Sequence, residues 1–113
     1  MMILKKPISI TEIEELARNR YGDMVKAVAD VDKEIIAIDS DLHSDLETLL
    51  LENGSAQESL WGYNIYPEID GDDFIEFDSL INIRPRQNNY SRNVENLQIQ
   101  EAIVAITNKY IER

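Results

Sequence analysis

The sequence predicts an α+β fold: an antiparallel sheet of about four strands, arranged as two hairpins, packed by an N-terminal, a short central and a C-terminal helix. Three observations predict it. The capping patterns Ser9-Ile-Thr-Glu12 and Ser44-Asp-Leu-Glu47 each run into apolar residues at helical spacing. Residues 24 to 38 and 60 to 83 instead repeat every two residues and are broken by turn chemistry. Ile99, Ile103, Ile106 and Tyr110 then restore a helical period near the C-terminus.

Taken in order, Met2 to Lys5 reads as a short first strand, and the first helix covers residues 10 to 21. Ile13, Leu16, Ala17 and Tyr21 form its apolar stripe, and Gly22 supplies a left-handed stop. Val25, Ala27, Ala29 and Val31 alternate with Lys26, Val28 and Asp30, the pattern of a half-buried strand. Asp32-Lys33 is read as a tight turn into a second strand from Glu34 to Ile38. The second capping pattern starts a helix at 45 to 53, with Asn53-Gly54 as its end. Leu60 to Tyr66 is rich in aromatics and stops before Pro67, which forces its last residue to be extended. Asp70-Gly71 marks a turn into the longest strand, with Ile75, Phe77, Ser79, Ile81 and Ile83 on one face. Pro85 ends it, Arg86 to Arg92 is loop by composition, and the last helix runs from about Val94 to Glu112.

Length and composition predict a single domain over residues 1–113, since 43 % apolar residues fill one core and not two. With no cysteine, disulfides are excluded and a reducing, cytoplasmic location is expected. No segment approaches the roughly 20 apolar residues of a membrane span. The 22 acidic against 11 basic residues, net charge -11, disfavour nucleic acid and anionic lipid as partners.

Charge is unevenly placed. Glu34 to Ile83 holds thirteen carboxylates and no lysine or arginine, whereas Arg84, Arg86 and Arg92 fall in a stretch, Ser79 to Val94, without an acid. Such a cluster against the overall bias has a local role. Turning the second hairpin about Gly71 sets Tyr66 opposite Glu76, Asn64 opposite Asp78 and Gly62 opposite Leu80. One solvent-facing sheet surface would then carry Asn64, Tyr66, Asp78, Asn82 and Arg84, continued by the Arg86 and Arg92 loop. Amides and guanidinium groups offer directional hydrogen bonds to an oxyanion, so the expected function is a non-catalytic module binding a small anionic ligand or a protein partner. Tyr63 and Tyr66, read as exposed aromatics, add the expectation of a homodimer.

Two alternatives come from the acids. Asp39, Asp41, His43 and Asp45 alternate, and His43 with Asp45 is a candidate divalent-metal site for a metal-assisted hydrolase drawing on Glu76 or Asp78. An EF-hand is excluded, because counting from Asp39 its glycine and glutamate positions hold Ser44 and Leu50. An acidic mimic of nucleic acid is the other. No cofactor is expected. No phosphate-binding glycine loop or glycine-flanked nucleophilic serine occurs.

The combination Leu42-His43-x-Asp45, Leu49-Leu-Leu-Glu-x-Gly-Ser55, Gln57, Leu60-Trp-Gly-x-Asn-x-Tyr-Pro67 and Ile81-Asn-Ile-Arg-Pro85 resembles an uncharacterised prokaryotic domain-of-unknown-function family of short stand-alone proteins. The resemblance covers nearly the whole chain. It implies a soluble prokaryotic domain and brings no activity with it. His43, Asp45, Trp61, Asn64, Pro67, Asn82 and Arg84 are the positions it shares.

Overall fold

Ser9 begins the first helix as its capping pattern predicts. In a computed structural model that describes every residue from Met1 to Arg113, the Ser9 backbone is extended and its hydroxyl accepts from the Glu12 N–H at 3.3 Å. Helix α1 spans Ile10–Arg20 and buries Ile13 and Ala17. Gly22 closes it at φ +93° with its N–H on the Ala17 carbonyl. Strands β1 (Met2–Leu4) and β2 (Ile8–Ser9) precede it, and β3 (Val25–Asp30) and β4 (Ile35–Ile38) follow as the expected antiparallel hairpin. Their turn needs no glycine because Asp30 builds it. The Asp30 Oδ1 accepts from the N–H groups of Asp32 at 3.0 Å and Lys33 at 2.9 Å, and Glu34 takes a left-handed backbone at φ +56°. Glu34 is therefore turn and not strand.

Helix α2 covers His43–Glu52 and starts two residues before its expected position. Leu42 is its cap residue and makes no side-chain capping bond, so Ser44 lies inside the first turn and the second capping box is unused. Ser40 organises this start instead, accepting from the Leu42 N–H and donating to Asp45, each at 3.4 Å. Gly54 ends the helix in the left-handed region as expected. Next come β5 (Leu60–Ile65), β6 (Ile75–Glu76), α3 (Leu97–Tyr110) and β7 (Ile111–Glu112).

The result is α+β, with an antiparallel five-stranded sheet in the order β1-β4-β3-β5-β6 and a separate parallel pair of β2 and β7. Ala27, Ala29, Ile36, Ile38, Trp61, Tyr63 and Ile65 cover one face and pack on α1 and α3 through Ile13, Ala17, Ile103, Ile106 and Tyr110. Val28, Ala37 and Leu60 cover the other and pack on Leu46 and Leu50 of α2. β3, expected to be half-buried, is thus central and covered on both sides. Tyr63 is fully buried, with its hydroxyl 2.8 Å from the Thr107 Oγ1, which removes it from any exposed aromatic surface.

The largest departure is the expected strand from Ile75 to Ile83, which stops at Glu76. β6 pairs Asn64 with Glu76 and Ile65 with Ile75, two residues off the predicted register but with the same face assignment. Beyond it, Asn82 takes the place of a strand: its Oδ1 accepts from the Gly62 N–H at 2.8 Å and its Nδ2 donates to the Gly62 carbonyl at 2.9 Å. One side-chain amide satisfies both backbone groups of β5, so no paired residue is needed there. The 79–82 segment lies so close that a Cβ on Gly62 would sit 2.6 Å from the Ser79 Oγ.

Candidate functional site

The polar residues expected on one open sheet surface occupy three settings. Asn64 is buried because its sheet face also carries Val28, Ala37 and Leu60 and is roofed by α2, and Asn82 is buried beside β5 with its amide on the Gly62 backbone. Asn64 Nδ2 donates to Glu76 Oε1 at 2.9 Å, and Tyr66 donates its hydroxyl to the same oxygen at 3.1 Å. Arg92 and Asp78 form a largely exposed ion pair, Nε to Oδ1 2.6 Å.

Arg84 serves the fold. Its guanidinium donates to the carbonyls of Ile81 at 3.1 Å and Gln57 at 2.7 Å, to Gln87 Oε1 at 3.0 Å, and to the Leu60 carbonyl. It also lies 4.3 Å from the Trp61 ring centroid. Burial lowers its pKa, against the opposing pull of Glu47 and Glu58. Asn89 has a parallel role: its Nδ2 donates to the carbonyls of Asn82, Ser91 and Asn93, and its Oδ1 accepts from the Glu95 N–H. The donors read from sequence as free for a ligand thus hold together the loop that displays them. Arg86 makes no ion pair and, with Arg84, Gln57, Gln87 and Glu58, lines an open cavity of about 440 Å³.

His43 opens α2 and is only 7 % exposed. Its Nε2 donates to the Tyr63 carbonyl at 2.8 Å. Burial, reinforced by Lys26, pushes its pKa down to about 4, outweighing the Tyr63 carbonyl and Asn64, so the ring is neutral near pH 7. The Asp45 carboxylate faces Ser40, and nowhere do three or more His, Asp or Glu side chains converge to hold a metal ion. Of the expected His43 and Asp45 metal pair, α2 places His43 toward the sheet with its Nε2 engaged by the Tyr63 main-chain oxygen, while Asp45 faces Ser40.

A second cavity, about 240 Å³, opens at this helix start. Lys26, His43, Ser44, Ser79 and Arg92 supply its polar lining, and Leu42, Leu80 and Ile81 its apolar lining. Lys26 reaches it because it lies opposite Asn64 in the β3–β5 pairing, on the face turned toward α2. It makes no ion pair, and its Nζ stands 5.3 Å from the Tyr21 ring centroid. Leu42 gives the first-turn N–H groups of α2 no side-chain cap, and Asp45 is the one acid of that turn. Of the residues predicted from sequence, this cavity gathers His43 and Arg92, with Asp78 paired to Arg92. Lys26 and Ser44 were missed as site residues, the only hint being a lysine set among the apolar residues of β3.

No curated protein and no solved structure matches the chain. Residues 2–110 match a family described as "Protein of unknown function (DUF5674)", and the chain belongs to that family.

Proposed function

We propose that this protein is a cytoplasmic, non-catalytic binding module that takes a small anionic ligand in the cavity at the start of α2. One observation carries the reading: Lys26, which has no carboxylate partner, and Arg92 line the same cavity as the uncapped first turn of α2. Helix N–H groups, an ammonium and a guanidinium together form a donor set suited to an oxyanion. The absence of cysteine supports a reducing compartment, and the acid excess disfavours nucleic acid as the partner.

Calorimetric titration with small anions, from phosphate and sulfate to short carboxylates, tests the proposal. At least one should bind saturably at one site per chain. Lys26→Gln should weaken it roughly tenfold or more, the usual worth of a hydrogen bond to a charged group. Arg86→Gln, in the other cavity, should leave it unchanged. Loss of binding in Arg86→Gln alone, or no saturable binding of any anion, overturns the proposal. A carboxylate-driven mimic of nucleic acid would be indifferent to Lys26.

A further inference from the structure

We infer that the ligand of this cavity is a small carboxylic acid bearing an aliphatic chain, held as a monoanion, an inference that rests on the anion-binding reading above. Three features of the cavity point to it.

The first is local charge. The cavity lining carries two cations, Lys26 and Arg92, and no carboxylate, while His43 is neutral. Asp78 on Arg92, Glu76 beyond Asn64 and Asp45 in the first turn of α2 surround it with negative charge, which favours a ligand of low charge such as a monoanion. A phosphate or sulfate dianion would place its second charge beside Asp78 and within the acidic field of the whole chain.

The second is the lining. Leu42 and Leu80 are 56 % and 68 % exposed, yet they come from separate segments and border the same small cavity with Ile81. Two large apolar side chains left open to water at the rim of a cationic site offer contact to a chain attached to the charged group. A hydrophilic oxyanion would leave them bare.

The third is size. At about 240 Å³ the cavity falls below the roughly 300–1,000 Å³ of pockets that enclose drug-sized ligands. It suits a carboxylate with a few methylene groups. Each methylene brought against Leu42 and Leu80 should tighten binding about fourfold at full burial, until the space is filled.

The experiment is a calorimetric series of acetate, butyrate and hexanoate, with hexanol and inorganic phosphate alongside, on the full chain. Affinity should climb from acetate to butyrate by roughly tenfold or more, and hexanol should bind far more weakly than hexanoate. Leu80→Ser, at an exposed position that burdens folding little, should flatten the series while acetate binding persists. Lys26→Gln should weaken every carboxylate. Equal affinity for acetate and hexanoate with Lys26 still required overturns the aliphatic inference and leaves the anion site standing. Hexanol binding as tightly as hexanoate, or phosphate binding more tightly than any carboxylate, overturns the choice of a carboxylate. If nothing binds saturably, the anion site and its ligand class fall together.

Discussion

Replacing Asn82 with alanine should destabilise the protein by at least about 2 kcal/mol. The Asn82 side chain is fully buried and makes three hydrogen bonds to main chain: to the Gly62 N–H at 2.8 Å, the Gly62 carbonyl at 2.9 Å and the Arg92 carbonyl at 3.0 Å. Alanine leaves the Gly62 N–H and carbonyl without partners, while the Arg92 carbonyl keeps the Ser79 N–H at 3.1 Å. A buried polar group left unsatisfied costs about 1–3 kcal/mol, so even the low end for the two Gly62 groups gives about 2 kcal/mol, a large share of the 5–15 kcal/mol that holds a typical domain folded. At about 4 °C per kcal/mol for a chain of this size, the melting temperature should fall by about 8 °C or more. Urea and thermal unfolding followed by circular dichroism measure both. Asn82→Asp sharpens the test because it keeps the shape and one acceptor but turns the Nδ2 donor into an oxygen facing two carbonyls. It should be at least as damaging as alanine. A loss below about 1 kcal/mol in Asn82→Ala, or wild-type stability in Asn82→Asp, would refute the view that this amide stands in for a strand.

Gly62→Ala should destabilise by about 1–3 kcal/mol through overpacking against Ser79, and adding Ser79→Gly should recover part of that loss in urea titrations. Arg84→Lys should lower stability almost as much as Arg84→Ala, because an ammonium cannot reproduce a planar fork shared among three carbonyls above Trp61; full rescue by lysine would contradict this. Leu42→Asp should raise stability by about 1 kcal/mol, by capping α2 at an exposed position, and should also weaken anion binding by occupying the helix start; both arms follow from one titration set. The folded protein keeps His43 neutral down to about pH 4 whereas the unfolded chain takes a proton near 6.5, so the unfolded state binds more protons between those values. Its contribution is complete above pH 6.5 and fades as pH falls through that window, by up to about 3 kcal/mol. His43→Gln should therefore lose less of its own stability between pH 7.5 and pH 5 than the wild type does.

Local chemistry was readable and long-range substitution was not. Ser9, Gly22 and Gly54 act as their spacing predicts because a cap is decided within four or five residues. The start of α2 was misplaced because Ser40 and Asp45 organise it across the turn, outcompeting the local Ser44 and Glu47 pattern. The alternation of Ile75, Phe77, Ser79, Ile81 and Ile83 is real, but periodicity does not reveal that Asn82 supplies hydrogen bonds to Gly62 twenty residues away. The isolated glycine in β5 was the available sign of that close approach. For the site, the acid-free arginine stretch drew attention to Arg84, and the same fork geometry that suits an oxyanion suits main-chain carbonyls equally well. Lys26 acquires meaning only when β3, β5 and α2 are assembled around it.

The central claim is that anion recognition resides at the start of α2 and not in the arginine loop. Backbone amide shifts recorded during a titration with butyrate test it most directly. The account predicts that the amides of His43 and Ser44 move most and saturate with a single dissociation constant, while those of Arg86 to Asn89 stay in place. Saturating shifts confined to Arg86 to Asn89, with His43 and Ser44 unmoved, would contradict it.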